Sequence, residues 1–129
     1  MMADIEELTR AAASGDSNRV RQLLEAGVDP NGVNNFGRTA IQVMKMGCPD
    51  ICRFLLRSGA NPNLQDRHGI ALIHDLAREG HLDTLSVLVE EGNADINLRD
   101  RNNKTAKDLA EENNYPNVVS YLVRRHQAT

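Results

Sequence analysis

The sequence predicts a mainly α-helical solenoid of four repeats, each built from a turn followed by two helices. One series of positions that would close a helix recurs at spacings of 32, 33 and 34 residues. A second series marks the apolar end of each second helix, and a third marks a polar arm leading into the next repeat. Agreement between independent series at one period is typical of repeat proteins. The closing positions are Gly15, Gly47, Gly80 and Asn114; the helix ends are Leu23-Leu24, Leu55-Leu56, Leu88-Val89 and Leu122-Val123; and the arms are Asp29-Pro30-Asn31, Asn61-Pro62-Asn63 and Asp95-Ile96-Asn97.

The stretch from His68 to Gly80 displays the repeating unit most clearly. Gly69 supplies the positive φ of a tight turn without a steric cost. Apolar residues follow at helical spacing, and Gly80 stands where a left-handed residue would end the helix. The stretch Ala71–Leu76, which reads Ala-Leu-Ile-His-Asp-Leu, takes the place of the T-P-L-H-x-A signature, so the unit resembles the ankyrin repeat. We therefore expect an ankyrin-repeat solenoid of helix-turn-helix units joined by β-hairpin-like loops.

The whole chain, residues 1–129, is predicted to be a single domain with repeats at about 4–35, 36–67, 68–101 and 102–125. Asp4 and Glu7 suit the first turn of a helix, and a second helix is expected from about Asp16 to Glu25. Polar residues replace the repeat signature in this first unit, as expected where a terminal repeat meets water. Leu8, Ala11, Ala12, Val20, Leu23 and Leu24 are its predicted core residues.

The second repeat is one residue short. Thr39 to Gly47 spans eight steps, whereas Ala71 to Gly80 spans nine. A helix of two turns that loses a residue must unwind or tighten, so we expect a short irregular turn with 3₁₀ geometry and a dent in the concave surface. Pro49 then suits the first position of the next helix, where its missing N–H costs nothing. Ile51, Cys52, Leu55 and Leu56 are predicted to be buried in that helix.

The third and fourth repeats follow the regular pattern. Helices are predicted at Leu72–Glu79 and Leu82–Glu90, followed by an inserted Asn93 in the hairpin arm. The fourth repeat is predicted to contain helices at Thr105–Asn113 and Pro116–Arg124. Its first helix carries a lysine and an aspartate where the third repeat has an apolar residue and a histidine, which suits a terminal repeat.

Charge and hydropathy exclude two classes of partner. A net charge of −3 and a pI near 5.8 provide no basic surface for a phosphate backbone, so nucleic acid is not an expected ligand. The N-terminus lacks the basic end and apolar run of a signal peptide, and no stretch approaches the roughly 20 apolar residues of a membrane span. We expect an intracellular, soluble protein that does not bind membranes.

The chemistry-bearing residues favour structural roles over catalysis. Cys48 and Cys52 lie four residues apart, but the other ligands of a metal site are missing at suitable spacing. Cys52 falls at the position taken by apolar residues in the other repeats, which predicts a thiol in the core. His74 at its place in the repeat is expected to bond backbone groups. Because no nucleophile motif or phosphate-binding loop is present, we predict no enzyme activity, no metal and no cofactor.

A set of charged residues in the third repeat calls for a functional interpretation. Asp75 and Arg78 lie three residues apart in the predicted first helix, Asp83 follows the next loop, and Asp66 lies in the hairpin arm. One interpretation is a solvated surface with a weak ion pair. The other is an electrostatic patch on a concave surface, where repeat proteins usually bind another protein.

Two motifs carry a closer resemblance. Residues 36–47, Phe-Gly-Arg-Thr-Ala-Ile-Gln-Val-Met-Lys-Met-Gly, and residues 73–85, Ile-His-Asp-Leu-Ala-Arg-Glu-Gly-His-Leu-Asp-Thr-Leu, resemble the INK family of ankyrin-type cyclin-dependent kinase inhibitors. The shortened second repeat is also a mark of that family, and the four repeats resemble its shorter members. His81 stands where those members commonly have Phe, and Leu76 stands where they have Ala. Matched residue by residue, the resemblance implies a kinase-facing set of Gln42, Met44, Asn63, Asp66, Asp75, Arg78, His81 and Asp83.

The resemblance implies a monomeric inhibitor of cyclin D-dependent kinases in the cytoplasm and nucleus. Such an inhibitor binds beside the ATP cleft, opposite the cyclin, and twists the kinase lobes so that cell-cycle entry is restrained. The alternative function is that of an ankyrin scaffold that tethers a protein partner without inhibiting it.

Overall fold

The computed structural model describes residues 4–127, within which the chain forms eight helices and no strand. Consecutive helices pair to form each repeat. Between repeats, α1 packs against α3 and α5 against α7, while α2 packs against α4 and α4 against α6. The predicted mainly α-helical solenoid is confirmed. The helices are α1 (Asp4–Ser14), α2 (Ser17–Glu25), α3 (Ala40–Val43), α4 (Pro49–Arg57), α5 (Leu72–Glu79), α6 (Leu82–Gly92), α7 (Ala106–Glu112) and α8 (Pro116–Gln127).

The core is continuous from the first repeat to the last and contains the predicted helix positions. The position of Cys52 is equivalent to those of Val20, Leu85 and Val118, and all four side chains are completely buried. The prediction of a core thiol is therefore confirmed. Leu24 and Leu56 were predicted to be buried, but both are only half-buried at the edge of the core. They follow the innermost leucine of each helix by one residue, which turns them about 100° away from the repeat interface.

The shortened second repeat differs from the expected 3₁₀ geometry. Its first helix, α3, is a single α-turn, half the length of α5. The chain then becomes extended at Met44, with φ −57° and ψ 147°. The backbone N–H of Lys45 donates to the carbonyl of Ala12 in the first repeat at 2.9 Å. The missing residue is thus accommodated by ending the helix early, because a neighbouring repeat supplies the next hydrogen-bond acceptor.

The inserted Asn93 changes how α6 ends. The spacing of the repeats predicts a cap at Gly92, because Gly27 and Gly59 stand at the same place after the earlier second helices. Those two glycines have φ near 95°, but in the third repeat the left-handed residue is Asn93, with φ 52°, and Gly92 is the last helical residue. Asparagine tolerates this conformation better than most residues, so the insertion moves the cap by one position.

Each hairpin arm is closed by one side chain. Asp66 Oδ1 accepts the backbone N–H groups of His68 and Ile70 at 2.8 and 3.0 Å. Asn34 does the same in the first arm and Asp100 in the third. These bonds fix the arms as tight hairpins without a strand ladder. Within residues 4–127, no helix combines the length and apolar character needed to cross a membrane.

Candidate functional site

Asp75 and Arg78 form an ion pair on the surface of α5. Asp75 lies in the first turn and Arg78 in the last, and their side chains are 29% and 41% exposed. Burial raises the pKa of Asp75 above its ordinary value, although the charge and hydrogen bond of Arg78 act in the opposite direction. A partly desolvated carboxylate with one cationic partner is therefore held in place and remains accessible to another molecule.

The start of α5 is fixed by His74. The backbone N–H of Ala71 donates to His74 Nδ1 at 3.0 Å, so Nε2 carries the proton and donates to the carbonyl of Leu98 at 2.9 Å. The ring is completely buried. The structural role predicted for His74 is confirmed, and its bond to the next hairpin arm explains why α5 presents Asp75 from a rigid support.

Gln42 occupies the position equivalent to His74 and performs the same task in α3. Its Oε1 accepts the backbone N–H of Thr39 at 2.9 Å. In the fourth repeat, Asp108 Oδ2 accepts the N–H of Thr105 at 3.0 Å. The amide oxygen of Gln42 is therefore occupied by its own helix, although the half-buried side chain keeps some exposed surface.

Met44 lies in a different place from the one expected for a partner-binding residue. Its side chain is only 4% exposed and belongs to the core. The extended conformation at this residue turns the side chain inward, beneath the point where α3 ends. The resemblance implied a direct contact between Met44 and a kinase, but the side chain is part of the core of the shortened repeat and is not available on the surface.

Asn63 and Asp66 of the second hairpin arm are both half-buried and both hold backbone groups. Asn63 Oδ1 accepts the N–H of Asp95 at 2.8 Å, which joins the arms that follow α4 and α6. Although partial burial opposes it, hydrogen bonds from Ile70 and His68 and the nearby Arg38 charge leave the pKa of Asp66 below its ordinary value. Asp66 therefore stays ionised while it shapes the arm.

His81 and Asp83 lie at the start of α6. The His81 ring lies against Gly47 of the shortened repeat, because a Cβ placed on that glycine would be 3.2 Å from the ring. Asp83 is exposed in the first turn of the helix, and its Oδ1 accepts the N–H of Thr84 at 2.7 Å. The His81 ring thus joins the third repeat to the second, whereas Asp83 has a carboxylate oxygen that faces solvent.

Three of the predicted site residues form one electrostatic group. Besides burial, which raises the pKa of Asp75, the charge of Arg78 lowers it and the charge of Asp66 raises it, so the three charges interact; we call Asp66, Asp75 and Arg78 the charged face. Sequence reasoning missed Arg38, whose charge acts on Asp66 from the preceding arm. The only signal for Arg38 was its place at the end of the first hairpin.

The two cysteines are free, with Cys48 half-buried at the start of α4. In the described part of the chain, no group of three or more His, Cys, Asp or Glu side chains could hold a metal ion. The predictions of no metal and no cofactor stay predictions.

Comparisons with known proteins agree with this architecture. A family model of ankyrin repeats in three copies matches residues 8–100 and 41–129. Human cyclin-dependent kinase 4 inhibitor B is 52% identical over 118 residues, which cover 91% of this chain and 85% of that protein. Cyclin-dependent kinase inhibitor 2A of Monodelphis domestica is 49% identical, covering 91% and 68%. Its human counterpart is 47% identical over 116 residues, covering 89% and 74%. The chain belongs to the INK family of ankyrin-repeat cyclin-dependent kinase inhibitors.

Proposed function

We propose that this protein is a stoichiometric inhibitor of cyclin D-dependent kinases that acts by binding rather than by catalysis. The observation that carries the proposal is the Asp75–Arg78 pair, which is accessible on a helix fixed by a buried histidine. Relatives at about half identity are inhibitors of cyclin-dependent kinase 4, which supports the same class of partner. The inhibitor would restrain cell-cycle entry.

The charged face suits this role because its charges are already in place before binding. A rigid pair loses little conformational freedom on association, and a desolvated charge contact discriminates strongly between partners. The first helix of the second repeat has one turn where α5 has two, so the shortened repeat presents less helical surface than the third repeat does. We propose that the charged face binds the kinase beside the ATP cleft and opposite the cyclin, so that lobe alignment and cyclin docking are both impaired.

The test is a kinase assay on a retinoblastoma-type substrate. Increasing amounts of the protein are added to a cyclin D-dependent kinase, and binding is measured in parallel by calorimetry. We expect inhibition that is complete near one inhibitor per kinase, and much weaker inhibition of kinases that do not use D-type cyclins. Binding without inhibition would contradict the proposal and would favour a scaffold that only tethers the kinase.

A further inference from the structure

The tips of the second and third hairpin arms bring together three side chains, Arg67, His68 and Arg101, which we call the tip cluster. Arg67 Nε lies 3.4 Å from His68 Nε2, and Arg101 Nη1 lies 2.9 Å from His68 Nδ1. The imidazole ring therefore lies between two guanidinium groups that come from different arms. Neither arginine forms an ion pair with a carboxylate anywhere in residues 4–127.

The tip cluster has more hydrogen-bond donors than acceptors. A neutral imidazole has one acceptor nitrogen, a charged imidazole has none, and a guanidinium has donors only. At most one of the two arginine contacts with His68 can therefore be a hydrogen bond. The other guanidinium faces an N–H group and still needs an acceptor from outside the cluster. Two unpaired cations with surplus donors favour an anionic acceptor, which arginine binds through paired N–H groups.

The backbone beneath the tip cluster is rigid. The N–H of Arg101 donates to the carbonyl of His68 at 2.9 Å. Gln65 Nε2 donates to the carbonyls of Gly69 and Arg99 at 2.8 and 3.0 Å, which ties the same two arms together. The cationic groups are thus gathered on a fixed base, so an incoming anion orders only the side chains.

We infer that the tip cluster docks a carboxylate side chain on the surface of the kinase, a statement that rests on the proposed function. The second arm carries both the tip cluster and Asp66, and the N–H of His68 itself donates to Asp66. The tip cluster is therefore continuous with the charged face. A kinase that covers the charged face would also reach the arm tips.

A carboxylate fits the tip cluster better than a phosphoryl group. Phosphoryl groups are commonly held by clustered backbone N–H groups, but in these arms Asp66 and Asp100 already occupy those groups. The same two carboxylates would repel a phosphoryl group, with its charge near −2, more strongly than a singly charged side chain. The surplus N–H groups of the two guanidinium groups remain as donors, and a carboxylate can accept two of them in parallel.

The experiment measures association rates at low and high salt with a cyclin D-dependent kinase, both untreated and treated with phosphatase. Wild type is compared with Arg67→Gln, Arg101→Gln and the control Arg124→Gln, an exposed arginine on α8. We expect each tip-cluster variant to associate about threefold to tenfold more slowly at low salt and to show a weaker salt dependence. Arg124→Gln should behave as wild type, and all four proteins should unfold at the same urea concentration.

Four results would overturn the inference. If both tip-cluster variants match the wild type in rate and salt dependence, the tip cluster has no docking role, although the proposed function stands. An equal loss in Arg124→Gln would mean general attraction rather than a specific site. If the tip-cluster variants associate more slowly only with untreated kinase, the group that the tip cluster binds is a phosphoryl group and not a carboxylate. If wild type itself fails to bind the kinase, the proposed function and this inference fail together.

Discussion

The aromatic ring of Tyr115 lies directly over Gly80, so that a Cβ on the glycine would overlap the ring. The contact joins the end of α5 to the start of the second helix of the next repeat. His81 has the same relation to Gly47 one repeat earlier. At both boundaries, the residue before the second helix of one repeat packs on the glycine that follows the first helix of the preceding repeat, and this contact fixes how the two repeats stack.

Gly80→Ala should destabilise the protein by about 2–4 kcal/mol, since it combines a left-handed alanine with an overlap against Tyr115. Urea unfolding measures the change. Gly59→Ala is the matched control, because Gly59 has φ 95° but no atom within 4 Å of the added Cβ. Backbone strain alone should lower the stability of Gly59→Ala by about 1–2 kcal/mol. Equal costs for the two variants would show that Tyr115 does not restrict this position.

Amide hydrogen exchange should show that Thr39–Gly47 opens at a lower free energy than Leu72–Glu79. The α3 helix has a single turn, and the following Lys45 amide depends on an acceptor in another repeat, so few local bonds resist opening. Regular α5 has two turns and a buried capping histidine. Equal or greater protection of the shortened segment would contradict this prediction.

The stability of the protein should fall as the pH rises above about 9. Burial raises the pKa of the Cys52 thiol from 9.0 to about 12, so between these values the unfolded chain has lost a proton that the folded chain keeps. The stabilisation is complete below the unfolded pKa and is lost as the pH rises through the folded pKa. The free energy of unfolding should fall by no more than about 1.4 kcal/mol per pH unit for this one group. Urea unfolding at several pH values measures it.

Cys52→Ser is the control for this pH dependence. It should cost roughly 1–3 kcal/mol at neutral pH because it buries a hydroxyl, and it should reduce the slope above pH 9. Part of the slope should remain, since burial and the Glu90 contact also raise the pKa of Tyr121. Cys48→Ser should change neither quantity appreciably, because Cys48 is only half-buried. An unchanged slope in Cys52→Ser would refute the assignment.

Asp75→Asn should raise the dissociation constant for a cyclin D-dependent kinase at least roughly tenfold, a loss of about 1.4 kcal/mol. The variant keeps the shape of the side chain and removes only its charge, so circular dichroism should be unchanged. Glu25→Gln serves as the control, since this exposed residue lies on α2 and only pairs with Arg21 in its own helix. Calorimetry measures the dissociation constants. If Asp75→Asn binds as tightly as the wild type, the charged face is not the kinase-binding site.

The sequence by itself determined the number of repeats, the positions of most helices and the charged residues of the third repeat. These features follow from local chemistry: helical spacing of apolar residues, glycines at left-handed positions, and a proline that begins α4. The burial of Cys52 was equally predictable, because equivalent positions in a repeat face the same interface. Periodicity therefore specifies both the elements and the faces that they bury.

Only the tertiary structure decided which residues are accessible and which contacts join the repeats. Met44 was expected at a partner surface, but the early end of α3 turns it into the core. His68 meets Arg101 across 33 residues, and Tyr115 covers Gly80 across a repeat boundary. Such contacts depend on how one repeat stacks on the next, and spacing within a single repeat does not encode that geometry. Adjacent repeats lie close in space although a full period separates them in sequence, and for this reason the binding surface required the folded structure.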